Sequence, residues 1–176
     1  MSVNVRRWGH GVGTAVAVVG VVATAHWSTP PAYGVDPQLA LNGIYVAVSI
    51  GEWAKKNEVY FDQATVRSTW TMNSVCTDPD SCTGTVVSDQ GWSAELTMRS
   101  SMWTVRRDVP DWIPCPDGST YPGRQLFRFA PVGADGRRLI GADVLAAEDV
   151  TAGPAGACGV GQPLVIRMPF RLEKVG

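Results

Sequence analysis

The stretch Leu164-Val165-Ile166-Arg167-Met168-Pro169-Phe170-Arg171-Leu172-Glu173 alternates large apolar residues with residues that are mostly polar. Because successive side chains of a β-strand point to opposite faces, a period of two puts every second residue on one face. The residues of that face are all apolar: Leu164, Ile166, Met168, Phe170 and Leu172. Pro169 belongs to the outward set, and since proline cannot donate to a sheet ladder, it indicates an edge strand or a bulge. The stretch predicts an amphipathic strand that packs one face on a core.

Upstream of this strand, the chain contains further short runs with strand character. In residues 66–72 we expect Val66, Trp70 and Met72 to point inward. The other runs are residues 43–49, 84–88, 94–98, 102–107, 124–130 and 139–144. Turns rich in Gly, Pro, Asp and Ser separate most of these runs, and only residues 52–57 look helical. Short strands joined by short turns pair antiparallel, so the sequence predicts an all-β, mostly antiparallel fold of about eight strands, an up-and-down barrel or a sandwich.

The first 25 residues have the features of a signal peptide. Arg6 and Arg7 precede an uncharged run of small and branched apolar residues, and Ala23-Thr24-Ala25 supplies the small residues that signal peptidase requires. The apolar run is shorter than the roughly 20 residues that span a bilayer. We therefore expect a signal peptide in residues 1–25, with an uncleaved membrane anchor as the alternative. Both Sec and twin-arginine export remain open.

The rest of the chain predicts one domain. A chain of 176 residues can bury a single core, and its 19 Gly and 12 Pro indicate many turns. Residues 26–38 are rich in proline, which restricts the backbone and removes donors, so we expect a flexible tether there. Residues 39–176 form the predicted single β domain. The formal net charge of −1 gives no basic surface for phosphates, so no nucleic-acid partner is predicted.

The four cysteines, Cys76, Cys82, Cys115 and Cys158, all lie after the export signal. An even number of cysteines in an exported chain indicates disulfides. Of the three possible connectivities we favour Cys76–Cys82 with Cys115–Cys158, because the first pair brackets a turn that would bring two adjacent strands together. A four-cysteine zinc site is the alternative, but closely spaced cysteine knuckles are missing from the sequence.

Catalytic chemistry has few candidates in this sequence. The two histidines, His10 and His26, lie in the leader and beside its cleavage site, so the predicted domain has no histidine for a nucleophile pair or a metal. Three carboxylate pairs remain: Asp78 with Asp80, Asp108 with Asp111, and Glu148 with Asp149. Each lies in or beside a predicted turn, where aspartate usually caps its own backbone. We predict no catalytic residue, no metal site and no cofactor.

Tryptophan is the more unusual feature of the predicted domain. Trp70 and Trp103 are centred in predicted strands and fit a core. Trp112 lies in the proline-rich segment 108–118 beside Cys115, which reads as a loop. Binding groups are often placed on loops that a rigid scaffold holds. Trp112 is therefore the candidate contact residue, with Asp111 and Asp117 as acceptors for a sugar or a basic protein surface.

Several motifs of the chain resemble a known group of proteins. They are Leu41-Asn42-Gly43-x-Tyr45, Glu52-Trp53-Ala54-Lys55, Val66-Arg67-Ser68-Thr69-Trp70-Thr71, Cys82-Thr83-Gly84-x-Val86-x-Ser88-Asp89-Gln90-Gly91-Trp92, Trp112-x-Pro114-Cys115-Pro116-Asp117-Gly118, Gly153-Pro154-x-Gly156-x-Cys158-Gly159 and Ile166-Arg167-Met168-Pro169-Phe170. Together they resemble the small exported conserved proteins of mycobacteria, which are secreted or membrane-attached and have no established activity. The resemblance covers residues 41–175. It implies export, a mycobacterial-type source and both disulfides, and it implies no catalytic residues.

These observations favour a secreted or cell-envelope-associated binding module without enzymatic activity. Its partner would be an envelope polysaccharide or a protein surface, and it would touch a membrane only through an uncleaved leader. The first alternative is a carboxylate-based enzyme acting on envelope polysaccharide, which needs two acidic groups about 5 to 10 Å apart in one cleft. A purely structural envelope component is the second alternative.

Overall fold

Ten antiparallel strands form one sheet in the computed structural model, which describes residues 35–175. The strands are β1 Gly43–Ser49, β2 Lys55–Lys56, β3 Val59–Tyr60, β4 Val66–Asp78, β5 Ser81–Ser88, β6 Ser93–Arg99, β7 Met102–Pro114, β8 Thr120–Pro131, β9 Val144–Ala152 and β10 Val165–Val175. Three 3-10 turns accompany them: Pro37–Leu39, Gly51–Trp53 and Ala157–Gly159. The predicted signal peptide, residues 1–25, and most of the predicted tether lie outside the described residues. Within residues 35–175, no helix has the length and apolar character needed to cross a membrane.

The sheet closes on itself through the pairing of β1 with β10. The closed part contains eight strands in the order β1-β4-β5-β6-β7-β8-β9-β10, and β2 and β3 form a small hairpin added to β10. The predicted all-β antiparallel fold is confirmed, and of the two predicted architectures the structure has the barrel. Closure removes the exposed edges that an open sheet would have.

The alternation that predicts β10 is visible in its burial. Ile166, Met168, Phe170 and Leu172 are all buried. On one side of β10, residues 170–175 pair with β1 and residues 166–167 pair with β2, and Pro169 lies between these two stretches. Its carbonyl accepts a hydrogen bond from the Ile50 N–H at 2.8 Å. The missing donor of the proline falls at a break between two neighbouring strands, which is the kind of irregularity that the sequence indicated.

Apolar side chains fill one end of the barrel completely. We call the end that carries the β4–β5 and β6–β7 turns the closed end, and the opposite one the open end. The buried side chains toward the closed end are Met72, Val86, Leu96, Met98, Trp103, Val105, Phe129, Leu145 and Leu172. The N–H of Leu41 donates to Ser74 Oγ at 2.8 Å, and Ser74 Oγ donates to the Leu41 carbonyl at 3.0 Å. These two hydrogen bonds connect β4 to the segment that precedes β1.

One disulfide lies at each end of the barrel. Cys76 and Cys82 are bonded and face each other across β4 and β5 at the closed end. Cys115, just after β7, is bonded to Cys158 in the connection between β9 and β10 at the open end. The predicted pairing is confirmed.

Two local predictions are wrong. Residues 139–144 were expected to form a strand, but Leu139 and Ile140 are exposed in a turn and the strand is β9. Residues 52–57 were expected to be helical, but only a 3-10 turn forms, and β2 follows it. Val66 does point inward as predicted, but it is 41% exposed because it begins β4 at the open end.

Candidate functional site

The open end of the barrel contains a cavity of about 550 Å³. Its aromatic lining is Phe61, Trp70, Trp92, Trp112, Phe127 and Phe170. Trp70 forms the inner part of this group, with its ring 4.9 Å from Phe127 and 5.2 Å from Phe170 between centroids. The cavity volume lies within the range of roughly 300–1,000 Å³ that is usual for small-molecule sites.

A buried carboxylate, Asp149, lies in the wall of this cavity. It points inward from β9 and is 1% exposed. Ser49 Oγ donates to its Oδ2 at 2.7 Å, and Gln125 Nε2 donates to both carboxylate oxygens at 2.9 and 3.0 Å. Burial raises the pKa of Asp149, and the hydrogen bonds from Ser49 and Gln125 and the charge of Arg107 oppose that rise. The carboxylate is therefore buried in the cavity wall and receives hydrogen bonds from two neutral side chains, Ser49 and Gln125.

Arg107 continues this polar cluster on β7. Its Nε donates to Gln125 Oε1 at 2.6 Å, and its guanidinium lies 4.5 Å from the centre of the Trp92 ring. Burial lowers the pKa of Arg107, and the charge of Asp149 partly offsets this. Among residues 35–175, neither the terminal guanidinium nitrogens of Arg107 nor the buried Nε1 of Trp92 has a hydrogen-bond acceptor. The Trp92 N–H is thus a buried donor without a partner, which is rare, whereas Arg107 is only partly buried and its terminal nitrogens are open to a ligand.

Trp112 lies at the cavity, although not in a loop as predicted. It belongs to β7, just after Asp111, whose φ of 50° marks a bulge between Val109 and Ile113. Glycine makes room for the Trp112 ring, since a Cβ at Gly123 would lie 2.7 Å from its Cδ2 atom. The bulge and this glycine together turn the half-buried indole toward Ile166 and Met168, the cluster against which it packs.

The other two predicted site residues lie away from the cavity lining. Asp111 is exposed and accepts a hydrogen bond from the Thr120 hydroxyl. Asp117 is exposed and accepts from Ser119 Oγ at 2.7 Å and from the Ser119 N–H at 3.0 Å, bonds that lower its pKa. Asp117 stabilises local backbone and Asp111 binds a side chain of β8, and neither lines the cavity with Trp112.

The remaining carboxylates also lie outside the cavity. Asp78 accepts from the Asp80 N–H at 2.9 Å in the β4–β5 turn, as expected of a turn aspartate. Glu148 points away from Asp149 and pairs with Arg167 and Arg128 on the outer face. Asp149 is the one carboxylate among the described residues that line the cavity. Within residues 35–175 there is no cluster of three or more His, Cys, Asp or Glu residues that could hold a metal ion.

The barrel resembles a known sensor domain. The monomer form of the PknI sensor domain of M. tuberculosis has a similar structure, with a TM-score of 0.55 over 78% of this chain and 88% of that chain. The two sequences are 18% identical, so the likeness concerns the fold alone. The sequence matches no protein-family profile and no curated protein.

The sequence contained a signal for the residues of the cavity wall. In β7 the inward set runs Trp103, Val105 and then Arg107, and in β8 it runs Phe129, Phe127 and then Gln125. An apolar alternation that turns polar at the same end of two neighbouring strands indicates a polar interior at that end. Trp112 was identified from its neighbours along the chain, whereas Arg107, Gln125 and Asp149 were missed.

Proposed function

We propose that this chain is an exported, non-enzymatic binding domain that takes a small molecule into the open end of its barrel. The observation that carries the proposal is the cavity wall of Ser49, Asp149, Gln125 and Arg107. Buried polar groups weaken a barrel unless each is satisfied, and apolar side chains would fill this space at lower cost. A polar interior confined to one open end is typical of a site that a ligand completes.

Four features support export. Disulfides persist in oxidising compartments, and the four cysteines form two of them. The N-terminal residues have the pattern of a signal peptide, and the chain resembles the small exported proteins of mycobacteria. The similar fold occurs in a mycobacterial sensor domain, whose name is consistent with ligand recognition.

The cavity also favours binding over the two alternatives from the sequence. Glycoside hydrolysis requires a pair of acidic groups in one cleft, and the lining offers Asp149 alone. A purely structural role leaves the inward-facing charges of Arg107 and Asp149 without a purpose. Because the site is enclosed by strands, a small molecule suits it better than an extended polysaccharide or a flat protein surface, and Trp112 is the aromatic contact of that site.

The test is a titration of the full-length, oxidised chain with N-phenyl-1-naphthylamine, a neutral apolar dye that fluoresces when it leaves water. We expect saturable binding of one dye per chain. Val109→Trp should abolish it, because Val109 lines the cavity and a larger ring would fill the space. Val87→Trp is the matched control, since Val87 is exposed on the outer face of β5. Absence of saturable binding, or equal binding by the two variants, would contradict the proposed function.

A further inference from the structure

The unpartnered donors of Arg107 indicate what kind of ligand the cavity holds. We infer that the ligand is an anionic amphiphile, whose carboxylate or phosphate oxygens bind the Arg107 guanidinium while its apolar body fills the rest of the cavity. This inference rests on the proposed function and names the ligand class of the same site.

Arg107 has hydrogen-bond donors that are still available. It can only donate, and Gln125 occupies its Nε alone. The guanidinium lies over the Trp92 ring, whose own Nε1 is buried and closed to a ligand. The terminal nitrogens of Arg107 match a group that has several acceptor oxygens and needs no acceptor in return.

A neutral sugar is a poorer match than an anion. A hydroxyl group has a hydrogen of its own, which must find an acceptor in a buried site. The carboxylate of Asp149 is the strongest acceptor in the wall, but it is 1% exposed and already receives hydrogen bonds from Ser49 and Gln125, so a ligand has little access to it. Ser68 Oγ is likewise buried and receives the indole N–H of Trp70 at 3.0 Å. These two acceptors are shielded from a ligand, whereas the terminal nitrogens of Arg107 are free.

The charged side chains of the lining are mostly cationic. The cavity is lined by two cationic side chains, Lys56 and Arg107, against the single carboxylate of Asp149. Lys56 lies at the mouth, with its Nζ 5.2 Å from the centre of the Phe61 ring. A ligand with a negative charge therefore balances the lining, and Arg is suited to hold a planar carboxylate or a phosphate with two parallel hydrogen bonds.

The rest of the lining matches the apolar body of the ligand. The polar cluster lies on β7, β8 and β9, whereas β10 and the segment before it contribute Leu164, Ile166, Met168 and Phe170 to the lining. Trp112 and Val109 add apolar surface. The cavity thus has a polar wall and an apolar wall, and an amphiphile can satisfy both at once.

The test compares decanoate, decyl phosphate and decanol as competitors of the neutral dye on the full-length, oxidised chain. We expect at least one of the two anions to displace the dye at about one tenth of the decanol concentration or less, since a hydrogen bond to a charged group is worth a factor of about ten or more. The ratio between decanoate and decyl phosphate then tells whether a free carboxylic acid or a lipid phosphate is the better source of the anion.

Three variants assign this preference to the proposed atoms. Arg107→Gln should reduce the anion-to-decanol preference to near one, and Lys56→Gln, which removes the other cation of the lining, should reduce it by a smaller factor. Arg106→Gln is the matched control, because Arg106 is the neighbouring arginine on the exposed face of β7, and it should leave the preference intact. Circular dichroism shows whether each variant is folded, and Lys56→Gln carries the test if Arg107→Gln is not.

The outcomes of the two experiments can be told apart. If the dye binds but decanol competes as well as both anions, or if Arg106→Gln and Arg107→Gln have equal effects, the anion site is wrong while the binding cavity stands. If the dye does not bind at all, the proposed function fails and the ligand class fails with it.

Discussion

The closed and open ends of the barrel are built from the same strands but are filled differently. Toward the closed end, the inward residues of β7 and β9 are Trp103 and Leu145, which are buried among other apolar side chains. Toward the open end, the same two strands place Arg107 and Asp149 inward. Closure of the barrel needs neither charge, because backbone pairing and apolar packing hold the closed end without one. The difference teaches that folding alone does not account for the polar end.

The same substitution, phenylalanine to alanine, should have different effects on stability at the two ends. Phe129→Ala at the closed end should lower the free energy of unfolding by about 3 to 5 kcal/mol, because its ring is fully buried and leaves a cavity. Phe61→Ala at the open end should cost less than about 1 kcal/mol, because Phe61 is 51% exposed. Urea unfolding of the two variants measures both values, and equal losses would mean that the open end is packed as core.

The two disulfides give a second comparison between the ends. By the chain-entropy relation, replacing Cys115 and Cys158 with serine should cost about 4 kcal/mol, and replacing Cys76 and Cys82 about 2.4 kcal/mol. The order follows from the sequence separations, which are 43 and 6 residues. Calorimetric unfolding of both double variants tests this order. A larger loss of unfolding free energy from removal of Cys76–Cys82 would show that this bond stabilises the closed end by more than loop-closure entropy.

Trp112 lies at the open end and is only half buried, so its substitution tests whether this end binds a ligand or is packed as core. Trp112→Ala should cost less than about 2 kcal/mol of unfolding free energy, below the roughly 3 to 5 kcal/mol of a buried tryptophan. It should also weaken binding of the neutral dye by about tenfold, as loss of an aromatic anchor does. Trp53→Ala is the control, since Trp53 is 61% exposed and lies outside the cavity lining, and it should change neither value. A loss of the full core size would mean that Trp112 only plugs the barrel.

The smallest expected effect is a difference in pH dependence. Burial raises the pKa of Asp149 above its ordinary value of 3.8, so the folded protein keeps a proton there that the unfolded chain releases. The free energy of unfolding should therefore fall as pH rises from 3.8 through the raised pKa of Asp149, and become constant above it. Asp149→Asn should lack this fall.

Asp117→Asn is the control for the pH experiment and has the opposite sign. Hydrogen bonds from Ser119 lower the pKa of Asp117, so its contribution is present above 3.8 and is lost as pH falls through the lowered pKa. Urea unfolding between pH 3 and pH 8 follows wild type and both variants. If Asp149→Asn had the same dependence of unfolding free energy on pH as wild type, the buried position of Asp149 would be contradicted.

Much of the barrel could be predicted from local sequence, and its missed parts have physical causes. The strands β1, β5, β6 and β10 follow from apolar alternation in residues 43–49, 84–88, 94–98 and 164–173. The position of β9 was missed because Ala146-Ala147-Glu148-Asp149 has low strand propensity, whereas the apolar Leu139 and Ile140 are exposed in a turn. The choice between barrel and sandwich depended on pairing of β1 with β10 at opposite ends of the domain, which no local pattern encodes.

The candidate site was predictable only in part for the same reason. Trp112 and Cys115 stand out along the chain, because tryptophan, proline and cysteine are close in sequence. The contact of Ser49 with Asp149 joins residues 100 positions apart, and only the register of closed strands brings them together. Asp149 looked like a turn residue because its neighbours suggested no strand.

The most direct test of the binding end uses the indole N–H signals of the seven tryptophans in a ¹H–¹⁵N spectrum of the full-length chain, recorded during titration with the neutral dye. We expect the signals of Trp92 and Trp112 to shift and reach a plateau at one dye per chain, while the signal of Trp103 at the closed end stays in place. Signals of Trp92 and Trp112 that do not move, or a Trp103 signal that moves as far as theirs, would contradict a binding site at the open end.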